Sequence, residues 1–162
     1  MENLWAPWRM RYIENADEEE GCIFCLKPKE NADKDNLILY RGEHGFIIMN
    51  KYPYNNGHLL IVPYRHTSDF SGLTGEEVLC LHKLLKMSYD ALTRAVNPHG
   101  FNIGLNLGRT AGAGIDQHLH YHIVPRWDGD TNFMPVVGQV KVISQGMEET
   151  YERLVKVLRE ME

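Results

Sequence analysis

Gln117-His118-Leu119-His120-Tyr121-His122-Ile123-Val124-Pro125-Arg126-Trp127 decides how the rest of the chain is read. Three histidines alternate with Leu119, Tyr121 and Ile123. Successive side chains of a strand point to opposite faces, so the alternation predicts three imidazoles on one face and three core residues on the other. Same-face neighbours on a strand lie about 6.6–7 Å apart. Two such imidazoles can converge on one metal ion, whereas three in a straight row do so poorly. A division of labour fits better: one metal-binding or structural histidine, one nucleophile or base, one orienting or proton-handling group. The plainer alternative is the solvated polar face of an edge strand. Five of the eight histidines lie elsewhere, and three in register followed by Val-Pro-Arg weigh against that alternative.

Composition bounds the answer. The 162 residues suit one domain with a full core. No apolar run approaches the roughly 20 residues of a membrane span. The opening Met1-Glu2-Asn3-Leu4-Trp5 lacks the basic start and apolar stretch of a secretory signal. Three cysteines, an odd number, argue against a disulfide framework and for a reducing, cytoplasmic setting. The net charge of −5 disfavours general binding to nucleic acid or an anionic membrane. A small phosphorylated ligand stays compatible, because it needs only a few local cations and backbone N–H donors.

Outward from the triad, the coarse structure alternates strands with one long helix. Leu37–Arg41 and Phe46–Asn50 read as strands joined by a turn at Gly42–Gly45, and His58–Pro63 reads as a third, apolar enough to be central. Thr74-Gly75-Glu76-Glu77 is a capping box. Behind it Val78, Leu81, Leu85, Tyr89, Leu92 and Val96 recur at helical spacing, up to a stop at Asn97-Pro98. Phe101–Asn106 reads as a further strand. Met147, Tyr151, Leu154, Leu158 and Met161 mark a terminal amphipathic helix. The predicted class is α+β: an antiparallel sheet of about five strands with one long helix and a C-terminal helix, in a single domain spanning 1–162. The aromatic and Arg-rich opening, within residues 1–20, reads as an arm packed on that domain.

Two further motifs carry chemistry. Cys22-Ile23-Phe24-Cys25 has the spacing with which two thiolates reach one tetrahedral zinc ion. A redox pair or two unlinked thiols are the alternatives, although the βαβ setting of a thioredoxin-like pair is missing. Gly108-Arg-Thr-Ala-Gly112-Ala-Gly114 can bring backbone N–H groups close to an anion. It is neither a Walker loop nor a dinucleotide fingerprint, but it feeds directly into the triad.

His118-Leu-His120-Tyr-His122-Ile-Val resembles the signature of the histidine triad (HIT) superfamily of nucleotidyl hydrolases and transferases. Trp5-x-Pro7-x-Arg9-x-x-Tyr12-Ile13 is similar to the opening of its diadenosine tetraphosphate phosphorylase-like branch. The resemblance implies that His66 and His118 join Cys22 and Cys25 in a closed, structural Zn²⁺ site. It also implies that His120 is the nucleophile and that His122 supports its tautomer or the phosphate region. Asn50 and His58 match positions on the nucleoside side of the pocket, and Asn106, Gly112 and Gly114 match phosphate-contacting positions. A homodimer is implied too. Related uridylyltransferases carry glutamine where His122 stands.

The chemistry agrees with that pattern. An imidazole of ordinary pKa, about 6.5, is largely neutral at pH 7 and can attack phosphorus through one ring nitrogen if the other holds the proton. The expected activity is cleavage of dinucleoside polyphosphates through a nucleotidyl-histidine intermediate, with phosphate or water as acceptor. Alternatives are a hydrolase of nucleoside phosphoramidates, a metalloenzyme with two triad histidines on an open zinc, and a nucleotide-binding protein with vestigial activity. The role of Asp116, an acidic group beside a phosphate site, stays open, as does that of Gln117.

Overall fold

The computed structural model describes residues 21–131, 143 and 145–161. The expectation of an arm within residues 1–20 lies outside them. Five strands form one sheet: β1 (Ile38–Arg41), β2 (Gly45–Met49), β3 (Leu59–Pro63), β4 (Gly100–Leu105) and β5 (Tyr121–Arg126). Their spatial order is β1-β2-β3-β5-β4, and every neighbouring pair is antiparallel. Among the described residues three α-helices accompany them: the single turn α1 (Ile23–Leu26), the long α2 (Gly75–Val96) and the C-terminal α3 (Met147–Glu160). This is the expected α+β architecture.

The central strands β2 and β3 are buried along their whole length. Both faces of the sheet are therefore covered here, and the period of 2 sorts the side chains. Ile47, Met49, Leu59, Ile61 and Ile123 face α2 and α3. Phe46, Ile48, Leu60 and Val62 face the other way, where Phe24 and Ile38 cover them. The turn between β1 and β2 closes with the Gly42 N–H donating to the Gly45 carbonyl at 2.8 Å. A Cβ at Gly45 would stand 2.6 Å from the Val62 carbonyl oxygen, so a side chain there would push β2 from β3.

Helix α2 begins with the capping box foreseen in the sequence. The Thr74 hydroxyl accepts the Glu77 N–H, and the Glu77 carboxylate accepts the Thr74 N–H. The helix ends at Asn97 in the left-handed region, φ 46°. Its buried stripe differs from the expected one. Leu81, Leu84, Ser88, Ala91, Leu92 and Ala95 pack inward, while Val78 and Tyr89 are about half exposed. Close packing on the sheet selects the small Ser88 and Ala91 for the inner face, which an apolar count passes over. Tyr89 instead meets Phe101 of β4, ring to ring at 4.6 Å. On α3 the expected stripe is present: Tyr151, Leu154 and Leu158 are buried, and the Tyr151 hydroxyl donates to the Ile38 carbonyl at 3.0 Å.

The triad departs from a simple strand. Only His122 lies in β5; His118 and His120 precede it. The ladder with β3 ends at the Ile61–Tyr121 pair. Pro63 has no N–H to extend it, and its carbonyl accepts the ring Nε2–H of His118 at 2.8 Å instead. The Leu119 N–H goes to the Thr67 carbonyl at 2.7 Å. The inward alternation of the histidines survives, held by these other partners.

The segment leaving β3 is tied to the start of α2. Arg65 forks onto the Glu77 carboxylate at 2.7 Å from both Nε and Nη2, and Nη2 also reaches the Gly72 carbonyl. Arg65 first, and the Thr74 N–H second, hold the Glu77 carboxyl down at about 2. A carboxyl with a lowered folded-state pKa adds stability above the usual carboxylate range and loses it as pH falls toward the folded value. Thr74→Ala should therefore cost about 1 kcal/mol in urea unfolding at pH 7. Glu77→Gln should flatten the loss of stability between about pH 5 and 2, read by the same titrations at stepped pH.

Candidate active site and metal centre

The face of the sheet opposite α2 and α3 carries the chemistry. There the described residues bring together every histidine of the triad, His58, His66 and the cysteine pair. His58, His118, His120 and His122 are all at least nine-tenths buried. Burying a polar ring is unfavourable unless its nitrogens are satisfied, and their partners fix each tautomer.

The donor cluster comes first. Ligand atoms of Cys22, Cys25, His66 and His118 all lie within 4.8 Å of one another. The His118 Nδ1 is 3.2 Å from Cys22 Sγ, 3.5 Å from Cys25 Sγ and 3.2 Å from His66 Nδ1, and Cys25 Sγ is 3.3 Å from His66 Nδ1. A tetrahedron of Zn–N and Zn–S bonds of ordinary length has edges of about 3.3–3.8 Å, so the four donors suit such an ion. The His118 Nε2–H is spent on the Pro63 carbonyl, which leaves the Nδ1 lone pair for a metal. Burial lowers the pKa of His118, which favours the neutral, ligating form. Helix α1 is the turn that carries Cys22 and Cys25 round to this point.

His120 is set by its neighbour. Its Nδ1 lies 2.8 Å from the His118 carbonyl, which can only accept. The proton is therefore on Nδ1 and the lone pair on Nε2. Burial lowers the pKa of His120, and the bond to the His118 carbonyl opposes this in part.

His122 is set by a longer chain of bonds. The Asn50 Oδ1 accepts the Tyr52 N–H at 2.9 Å, which turns its Nδ2 toward His58 Nδ1 at 3.3 Å. The Tyr54 N–H reaches the same His58 Nδ1 at 3.0 Å. An amide N–H can only donate, so His58 Nδ1 is an acceptor and its Nε2 carries the proton. That Nε2–H donates to His122 Nδ1 at 2.9 Å, which places the His122 proton on Nε2. The His122 and His120 ring centroids are 4.9 Å apart.

The glycine loop after β4 leads into this row along the chain. It holds a short 3-10 turn, Arg109–Ala111, with Gly108 and Gly112 at positive φ. The Gly112 N–H closes that turn on the Arg109 carbonyl at 2.9 Å. The carboxylate of Asp116 is paired with Arg109 Nε at 3.1 Å, which answers how an acidic group is carried so near the triad. Asn106 follows β4 directly and is half-buried, as is Gly114.

Sequence reasoning missed two aromatic partners. Phe24, inside the Cys-x-x-Cys turn and 3% exposed, packs on His118 at 5.5 Å and on His120 at 5.0 Å between ring centroids. Tyr54 stacks on His122 at 5.7 Å with rings 12° from parallel, and lies 4.6 Å from His58. Neither had a signal beyond its place: Phe24 between the two cysteines, Tyr54 between two expected strands.

The comparisons with known proteins converge. The HIT domain family model matches residues 31–129. The chain belongs to the HIT family. An AP-4-A phosphorylase of Mycobacterium tuberculosis is 38% identical over 157 residues, covering 93% of this chain and 80% of that one. An adenosine 5'-monophosphoramidase of Schizosaccharomyces pombe is 30% identical over 106 residues, 65% of this chain and 74% of that one. Among solved structures, a zinc-bound histidine triad family protein from Mycobacterium smegmatis superposes with a TM-score of 0.69 at 25% identity, over 87% of this chain and 95% of that one. In this HIT chain Phe24 fills the space between the donor cluster and His120. Phe24→Ala should lower stability by about 3 kcal/mol, measured as a shift in the guanidinium unfolding midpoint.

Proposed function

We propose that this HIT protein cleaves dinucleoside polyphosphates, diadenosine tetraphosphate among them, by two displacements at His120, with inorganic phosphate as the second acceptor. The observation that carries the reading is the bond from His120 Nδ1–H to the His118 carbonyl. It leaves Nε2 with a free lone pair on a ring that burial keeps neutral. In the first step Nε2 attacks the α-phosphorus, the bond to the bridging oxygen breaks, and ATP leaves. The adenylyl group then sits on Nε2, and the positive charge of the imidazolium is shared with Nδ1–H against the His118 carbonyl. In the second step a phosphate oxygen displaces the histidine and gives ADP. Splitting one displacement into two uses a nucleophile already in place.

His122 serves beside it as a neutral donor, its tautomer fixed through His58. Asn50 and His58 lie toward the nucleoside, with Asn106 and Gly114 toward the phosphates and Gly112 shaping the loop. Cys22, Cys25, His66 and His118 would hold one structural Zn²⁺. Four protein ligands would leave no open position for water, so its contribution would be to hold α1 against His118, two residues before the nucleophile. The relative from M. tuberculosis supports the phosphorylase reading. The monophosphoramidase relative keeps hydrolysis of a phosphoramidate as the second one.

Three further properties complete the proposal. The chain acts as a single domain in the cytoplasm, a reducing compartment that its three free cysteines suit. Its partners are nucleotides, with no role for nucleic acid or membrane. It works as a homodimer: among the described residues β4 is an edge strand whose Ile103 is half exposed, with Leu107 just beyond it likewise, and pairing would cover that edge.

Incubation with diadenosine tetraphosphate, with and without phosphate, should give ADP and ATP only when phosphate is present. AMP and ATP without phosphate would replace phosphorolysis with hydrolysis. His120→Ala should abolish turnover of either kind. Metal analysis should find one zinc per chain, lost in Cys22→Ser together with a fall in melting temperature.

A further inference from the structure

The residues that follow the triad strand form a hydrogen-bond network of their own. Trp127-Asp128-Gly129-Asp130-Thr131 forms a turn in which the Asp130 N–H donates to the Trp127 carbonyl at 3.1 Å. At its end stands Asp130, whose side chain is only 9% exposed. Its carboxylate accepts Arg126 Nε at 2.6 Å and Nη2 at 2.9 Å, the Trp127 N–H at 3.1 Å and the Thr131 hydroxyl at 3.1 Å. A fifth donor comes from far along the chain: Asn55 Nδ2, at 2.7 Å. Five donors on one carboxylate is more than a loop needs for its own closure.

Asn55 connects that carboxylate to the chemistry. The same Nδ2 donates to the Pro125 carbonyl at 3.1 Å, so Asn55 is stitched to β5 three residues beyond His122. The Asn55 carbonyl accepts the His58 N–H at 3.2 Å. Its neighbour Tyr54 gives its N–H to His58 Nδ1 and lays its ring on His122. The two groups that fix the His58 tautomer and support the His122 ring therefore ride on a loop whose buried anchor is the Asn55 side chain. Asn55 is itself 7% exposed, so its amide hydrogens need acceptors here.

We infer that Asp130 is a positioning residue for the His58–His122 pair and acts through Asn55. It touches none of the four imidazoles. Its charge strengthens the bond from Asn55 beyond what a neutral acceptor would give, and Arg126 balances that charge. Arg126 is held in turn by Asn102 of β4, Nη1 to Oδ1 at 2.7 Å. The sheet's edge strand, the triad strand and the His58 loop thus meet at one carboxylate. Loosening it should let Tyr54 drift and free the His58 ring to take its other tautomer. His122 would then lose the donor that sets its own.

The test compares wild type, Asp130→Asn, Asn55→Ala and the double variant, and its kinetic arm rests on the function proposed above. With diadenosine tetraphosphate and phosphate, each single variant should lower kcat between about tenfold and a hundredfold, with KM little changed. The double variant should fall no further than the worse single one. The second arm needs no turnover. Long-range ¹H–¹⁵N spectra of histidine-labelled protein should show His58 and His122 protonated on Nε2 in wild type. In Asp130→Asn and in Asn55→Ala the same two rings should lose that single pattern, with those of His118 and His120 unmoved. Losses that multiply in the double variant, or His58 and His122 spectra identical to wild type in both single variants, would overturn the assignment. If the wild-type protein turns over no dinucleoside polyphosphate, the functional proposal fails and the ring spectra alone decide the role of Asp130.

Discussion

Everything at the site hangs on His118 and its bond to Pro63. One proton, on Nε2, is committed to a backbone carbonyl at 2.8 Å. That single commitment points Nδ1 at two cysteines and His66, and it holds the backbone of His118 still. The carbonyl of the same residue then fixes the proton of His120. The donor cluster and the proposed nucleophile are thus tied to the two ends of one residue, its ring and its main chain. The Arg65–Glu77 fork, which ties the segment leaving β3 to α2, serves this geometry at one remove, because His66 is the next residue.

The two ends of the imidazole row are supported differently. On the side of His118 the supports are β3's last carbonyl, the cluster, and Phe24 wedged against two rings. On the side of His122 the support is a loop, residues 50–58, with backbone and amide donors converging on His58. A loop has no ladder to hold it, so it needs anchoring elsewhere. Asn55 on one flank and Asn56 on the other supply this: Asn56 Oδ1 accepts the buried Thr150 hydroxyl of α3 at 3.2 Å. The C-terminal helix, whose stripe reads as plain core packing, thereby also braces the active-site loop.

How much of this the sequence revealed follows the range of each signal. Periodicity is local, so the strands, the capping box at Thr74 and the stripe of α3 were legible. The motif spacing gave the triad and Cys22–Cys25, and family resemblance supplied the matches for His66 and His118. What depended on shape was not legible. The inner face of α2 uses Ser88 and Ala91 because the helix lies close to the sheet, and no apolar count detects that. The triad leaves the strand before His120 because Pro63 ends the β3 ladder, a fact about the partner strand rather than the triad itself. Asn55 and Asp130 are 75 residues apart, and neither turn nor loop composition announces that they meet.

The manner of control explains why the site can hold several neutral imidazoles beside a polyanion. A carboxylate is the usual orienter of a histidine, but it also raises the ring's pKa and repels phosphate. Two unit charges about 4 Å apart at an effective dielectric of 20 interact by about 4 kcal/mol, a penalty multiplied over a polyphosphate chain. Here the orienting partners of His118, His120, His58 and His122 are carbonyls, amides and one another. The acidic groups nearby are paired with cations: Asp116 with Arg109, Asp130 with Arg126. Neutral dipoles fix where each proton sits without adding charge, and the desolvation that lowers the pKa of His120 then keeps its Nε2 lone pair available. His120, held this way, depends on where the His118 carbonyl stands, and much of the surrounding hydrogen bonding accordingly goes to fixing the loops around the imidazole row.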